Sequence, residues 1–261
     1  MARDGVALKD MRIGPADGPL VLFLHGLGLD HRYWGDVAAA VPSGLSIILA
    51  DLRGHGRSGY GAPVGLGTFV ADAIGSLDRP AVVIGHGVGG MIAQGIAAER
   101  PDLVRGLVLE SSAVKLETET RWEARARSVA QDGLEAERDR LTAAFHPRTP
   151  EDTRDRVLAP LTDMSAGAYA AACQALAHTD LLESTARLTC PALVLSGLAD
   201  PIVPPDLSGE VAALIAGAER QIIRRTGHFP SAEAPGDVAR AIAGFMDNLP
   251  PVAAPAPPRL I

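Results

Sequence analysis

The stretch Ala81-Val-Val-Ile-Gly-His-Gly-Val-Gly-Gly-Met91 decides how the rest of the chain is read. Ala81 to Ile84 is an apolar run ending in three β-branched residues, as in a buried strand of a parallel sheet. Gly85, Gly87, Gly89 and Gly90 then permit a very tight turn, and Met91 to Glu99 reads as a helix. Upstream, Leu20 to Leu24 is a second buried strand, running into His25-Gly26-Leu27-Gly28. Before it lie an edge strand over Gly5 to Ile13 and the turn cluster Gly14 to Pro19. Trp34 opens a short helix through Ala40, Ser46 to Leu52 is another strand, and Thr68 to Leu77 is amphipathic. Downstream, Pro101 breaks the helix, and Val104 to Leu109 forms a strand that ends at Glu110-Ser111-Ser112. This order predicts an α/β fold: a mostly parallel sheet flanked by helices on both faces.

The remaining segments complete that plan. Thr118 to Asp180 carries helical periodicity without a convincing strand, with helices expected over Arg121–Gln131, Leu134–Phe145, Glu151–Thr162 and Ala166–Ala177. A helical insertion between sheet strands reads as a cap that roofs a site, rather than a plain helical extension. Strand pattern resumes at Ala192 to Ser196, leading to Gly197-Leu-Ala-Asp200-Pro201, and again at Gln221 to Arg224, leading to Thr226-Gly-His228-Phe-Pro230. Pro235 to Asn248 is a closing helix. The expected organisation is a core of residues 1–117 and 186–248, a helical cap of 118–185 and a Pro/Ala-rich tail of 249–261.

Composition narrows the function classes. The chain has 261 residues, enough to bury one large α/β core. A formal charge of −7 argues against a nucleic-acid partner. No apolar run is long enough to span a membrane, and the start lacks the apolar segment of a signal peptide. Cys173 and Cys190 have neither CxxC spacing nor nearby His ligands, so they read as reduced, mostly buried thiols. These features point to a soluble cytoplasmic protein with no membrane partner, no metal and no cofactor.

Four landmarks in chain order resemble the α/β-hydrolase superfamily: HGLG at 25–28, GHGVGG at 85–90, GLAD at 197–200 and GHFP at 227–230. The run D-x-R-G-H-G-x-S at Asp51 to Ser58 accompanies them. Within that superfamily the chain looks most like 3-oxoadipate enol-lactonases. The supporting stretches are Gly89 to Arg105, Ala168-Tyr-Ala-Ala-Ala-Cys-Gln-Ala-Leu176 and His178-Thr-Asp-Leu181. The resemblance implies an α/β-hydrolase fold with a helical cap, in which Asp200 is the catalytic acid and His228 the base. It also implies that the backbone N–H groups of Leu27 and Val88 form the oxyanion hole, with His25 and His86 as scaffold beside the turns. Substrate-binding positions implied in the cap are Trp122, Arg121 and Arg125, with Arg127 and Lys115 as further basic residues. They could pair with a substrate carboxylate or simply form a solvated helix face.

The departure is Gly87, which stands where the family pattern G-x-S-x-G has its nucleophile. Glycine cannot form an acyl-enzyme, although it tolerates the strained turn better than any other residue. Ser111, Ser112, Glu110 and Cys173 read as structural rather than as replacements. Three readings remain open. The chain is an ester or enol-lactone hydrolase acting on a small lactone or ester that bears a carboxylate, either inactivated at Gly87 or using His228 and Asp200 to activate water. It is a His–Asp lyase, isomerase or cofactor-free oxygenase. Or it is a non-catalytic small-molecule binding protein.

Overall fold

The computed structural model describes residues 6–61, 63 and 65–250. Seven strands form one sheet: β1 (Asp10–Ile13), β2 (Leu20–Leu24), β3 (Ser46–Ala50), β4 (Ala81–His86), β5 (Val104–Glu110), β6 (Ala192–Gly197) and β7 (Glu219–Ile223). Their spatial order is β1-β3-β2-β4-β5-β6-β7. Only β1 is antiparallel, pairing with β3 at the sheet edge. The other pairs are parallel, so strands β2 and β4 are covered on both faces and every one of their residues is buried. The expected start of the edge strand at Gly5 and the tail from 251 onward lie outside the described residues.

The sheet order determines where a site can form. From β2 the chain winds to β3 on one side and then returns to β4 on the other. The loops leaving β2 and β4 therefore diverge, and they open a crevice at the carboxyl ends of the strands. Both glycine-rich landmarks, 25–28 and 85–90, leave from those two neighbouring ends.

Helices α1 (Gly35–Ala40), α2 (Leu66–Ile74) and α3 (Val88–Glu99) lie among the first strands. The elbow helix starts at Val88 rather than Met91, because Gly87 alone completes the reversal. Six helices separate β5 from β6: α4 (Glu119–Asp132), α5 (Glu135–Thr142), α6 (Glu151–Leu158), α7 (Pro160–Asp163), α8 (Ala166–Leu176) and α9 (Leu182–Thr185). The single helix expected over Glu151–Thr162 is two, since Pro160 supplies no N–H to the ladder and starts a new helix instead. Helix α10 (Pro205–Leu214) is an addition to the elements expected from the sequence, its polar and apolar residues giving only a weak helical pattern. The chain closes with α11 (Pro230–Glu233) and α12 (Pro235–Asp247). No described helix is long and apolar enough to cross a membrane.

Candidate active site

The turn after β4 is built by glycines that differ in what they do. A Cβ on Gly85 would run into the Gly89 carbonyl, and one on Gly89 into the Leu24 carbonyl. A Cβ on Gly90 would strike the Ser112 side chain. These three positions are closed by backbone and neighbours. Gly87 differs: its φ is 52° and ψ −115°, yet the nearest atom to a Cβ there would be the Ser111 carbonyl oxygen at 3.9 Å. Its conformation is one that L-residues adopt only under strain, but the space for a side chain is open. The turn is held from both sides, with Gly87 N–H donating to Glu110 O (2.9 Å) and Ser112 Oγ donating to Gly87 O (2.7 Å).

Facing the turn is a His–Asp pair. His228 Nδ1 lies 2.9 and 3.0 Å from the two carboxylate oxygens of Asp200. Asp200 Oδ1 also accepts from the Ile202 and Val203 amides at 2.8 and 2.9 Å. Burial pushes the Asp200 carboxyl up, but the His228 ring and those amides together outweigh it and hold its pKa below the ordinary value. An ionised carboxylate at Nδ1 keeps the proton on that nitrogen, which leaves Nε2 as the free base. The His228 loop is pinned to the helical segment, its N–H donating to Ala144 O at 2.8 Å.

The other histidines support the frame. His86 Nε2 donates to the His228 carbonyl at 2.9 Å; burial, then the neighbouring His228 ring, pulls its pKa down to about 3. His25 bonds Gly26 O and the Leu52 amide, and burial lowers its pKa too. His55 Nε2 accepts from Gly28 N–H at 3.1 Å and so ties the 25–28 loop to the loop after β3. Asp51, in the same motif, takes the His31 and Arg57 amides at 2.9 and 3.0 Å. The D-x-R-G-H-G-x-S run thus braces the first glycine loop.

A cavity opens over these groups, lined by Leu27, Gly87, Val88 and His228 from below and by Trp122 and Arg125 from above. No serine, threonine or cysteine is among the described residues lining it. Ser111 and Ser112 are fully buried outside it, and burial pushes the Cys173 thiol up to about 12. Leu27 and Val88 both line the cavity, at the loops that leave β2 and β4.

Of the cap positions, Trp122 and Arg125 sit three residues apart on α4 and share its inward face. Arg121 is a correction: it lies on the outer face, its side chain 76% exposed and 3.5 Å from Glu117. Arg127 pairs with Glu123 and Lys115 with Asp180, both at the surface. Residues the sequence did not single out are Glu117, Glu137 and Arg140, which surround Arg125. Glu110, expected to be structural, accepts from Tyr33 and Ser231 hydroxyls, both at 2.5 Å. Asp30, His31 and Asp51 bring one potential metal ligand each within 4.8 Å of the others. All three already have protein partners in His31, Arg32 and Arg57.

Comparison with known proteins places this geometry in context. The alpha/beta hydrolase family profile matches residues 21–241. The 3-oxoadipate enol-lactonase 1 of Acinetobacter baylyi is 29% identical over 95% of this chain and 96% of its own. The 3-oxoadipate enol-lactonase 2 of the same organism is 32% identical over 76% of this chain and 77% of its own. The solved enol-lactonase of Burkholderia xenovorans LB400 superposes with a TM-score of 0.85 at 25% identity, covering 95% of this chain and 99% of that one.

Proposed function

The chain belongs to the alpha/beta hydrolase family, and from that premise we propose that it hydrolyses a small carboxylic ester or lactone with water in the nucleophile's place. The observation that carries the reading is the intact His228–Asp200 pair beside a turn with open space at position 87. A buried imidazole oriented by an ionised carboxylate has little purpose in a site that only binds. Two relatives named as 3-oxoadipate enol-lactonases favour a lactone among the possible esters.

In this mechanism a water occupies the space that a hydroxymethyl group would fill. His228 Nε2 takes its proton while Asp200 stabilises the imidazolium. The hydroxide adds to the substrate carbonyl, and the Leu27 and Val88 amides receive the oxyanion. Collapse expels the alkoxide or enolate, which recovers the proton from His228. General-base assistance supplies roughly 10²–10⁴-fold and an oxyanion donor about 10²–10³-fold, so turnover does not require an acyl-enzyme. The amphipathic segment over 118–185 acts in this reading as a cap that excludes bulk water.

The test is the initial rate on an enol-lactone and on 4-nitrophenyl acetate for wild type, His228→Ala and Gly87→Ser. Wild type turns over at least one of them without a burst, and His228→Ala lowers that rate by roughly 10²–10⁴-fold. Gly87→Ser introduces a burst of one equivalent as an acyl-enzyme accumulates. Turnover that survives His228→Ala, or a wild type inert on both substrates, rejects the reading.

A further inference from the structure

We propose that Glu117 makes this cavity selective for esters and lactones without a free carboxylate, by occupying the one inward-facing α4 arginine that would receive it. That such esters and lactones are substrates rests on the hydrolytic reading above; the selectivity itself is a property of binding.

The cap wall of the cavity carries three charged side chains, Glu117, Arg125 and Arg140. Arg125 is engaged twice. One terminal nitrogen lies 2.8 Å from Glu117 Oε1, and its Nε lies 3.2 Å from Glu137 Oε1. Its guanidinium also sits over the Trp122 ring, 4.8 Å from the centroid. Arg140 is spent on Glu137 as well, with contacts of 2.9 and 3.0 Å from Nε and 2.9 Å from a terminal nitrogen. Two cations therefore face two carboxylates, and the wall is neutral as a unit. An incoming carboxylate meets no unpaired positive charge. It meets Glu117 beside the only arginine it could reach on α4, in a cavity whose remaining walls are largely Leu27, Val88, Leu141 and Phe229.

The two glutamates are not equivalent. Glu137 stands behind the wall, held by Arg140, Arg125 and the Tyr169 hydroxyl at 2.7 Å. Burial pushes its carboxyl up, but those partners outweigh the burial and keep its pKa below the ordinary value. It is part of the scaffold. Glu117 lines the cavity itself, and its second partner is the exposed Arg121 at 3.5 Å. Removing the Glu117 charge frees Arg125 toward the cavity and disturbs little else. A neutral polar group, such as an amide or hydroxyl, loses nothing in the present arrangement, since Glu117 accepts and Arg125 still has N–H groups to donate.

The experiment is calorimetric titration at neutral pH with two unreactive probes of equal length: adipate, a dianion, and adipamide, which is uncharged. Because neither is turned over, the outcome does not depend on catalysis. Wild type binds adipamide about tenfold or more tighter than adipate, because a carboxylate entering the cavity finds no unpaired cation to offset its desolvation. Glu117→Gln, which retains a carbonyl acceptor, raises adipate affinity about tenfold and leaves adipamide within a few-fold. The double variant Glu117→Gln/Arg125→Gln loses that gain. Circular dichroism establishes that each variant is folded. Adipate binding to wild type as tightly as adipamide, a preference unmoved by Glu117→Gln, or no binding of either probe overturns the proposal. An esterase-inert wild type that keeps the preference would instead sink the hydrolytic reading alone.

Discussion

At the scale of single residues, Gly87 separates two demands that coincide in its neighbours. Gly85 and Gly89 are glycine because backbone atoms occupy the space of a Cβ, whereas Gly87 has the room and only its φ of 52° favours glycine. Gly87→Ser is therefore expected to fold at a cost of ~1–3 kcal/mol, while Gly89→Ala collides with the Leu24 carbonyl and abolishes cooperative unfolding. Urea denaturation of the two variants reads the contrast directly, and equal destabilisation would contradict it. Glu110 gives a pH signature. Burial, only partly offset by the Ser231 and Tyr33 hydroxyls, raises its pKa from 4.5 to about 7. The folded state then binds more protons than the unfolded chain between those values, so stability falls as pH rises from 4.5 to about 7 and is level above that. That difference in pKa corresponds to about 3 kcal/mol lost by wild type relative to Glu110→Gln across that window. Unfolding free energies of both proteins at the two ends of the window check it; a constant difference between them would refute the assignment.

At the scale of elements, the His228 loop and the helical segment between β5 and β6 are tied together. Glu233, on α11, accepts from His146 N–H and Thr149 Oγ at 2.6 Å each and from Gly227 N–H at 2.5 Å. It thereby ties the segment after α5 to the residue preceding His228. Glu233→Ala leaves two backbone donors without their acceptor, at ~1–3 kcal/mol each if they stay buried. The expected result is a fall in kcat larger than the change in KM, with faster amide hydrogen exchange over 144–149 and 226–229. Unchanged exchange in both segments would show that the His228–Ala144 backbone bond alone holds the loop. Helix α4 depends on its own start: Thr118 Oγ accepts from Arg121 N–H at 3.3 Å. Thr118→Ala should cost ~0.5–2 kcal/mol and register as exchange confined to the first turn of α4.

At the scale of the whole molecule, the site is assembled from segments spread along the chain. The Leu27 loop leaves β2, the open turn at Gly87 leaves β4, Asp200 follows β6, and His228 follows β7. They meet because the sheet order reverses between β3 and β4 and because both glycine loops lie at the same carboxyl edge. A ligand that fills this crevice bridges the sheet and α4, so it should stabilise the fold as a unit. At one hundred times its Kd the gain is ~2.7 kcal/mol, or roughly 5–11 °C in Tm for a chain of this size. The gain should persist in His228→Ala, since that variant loses a base rather than the cavity. A thermal shift abolished by His228→Ala would mean that the imidazole itself anchors the ligand.

The backbone of this protein was legible in its sequence because the signals are local. Apolar runs, glycine spacing and helical periodicity are constraints that neighbouring residues impose on one another, and they sufficed for the sheet, the turn after β4 and the helices between β5 and β6. They failed where a local rule was overlooked, as at Pro160, or where the pattern was weak, as in α10. The roles expected of Gly87, Asp200 and His228 rest on motif order and on the family resemblance. What only the tertiary structure decided is partnership. Whether Arg125 is available to an anion depends on Glu117 and Glu137, 8 and 12 positions away on different turns of the cap. Glu110 has a raised pKa because the fold buries it, and Ser231, whose hydroxyl partly offsets that burial, arrives from 121 residues downstream. Charge pairing and desolvation are set by distance in space, and no spacing along the chain encodes them.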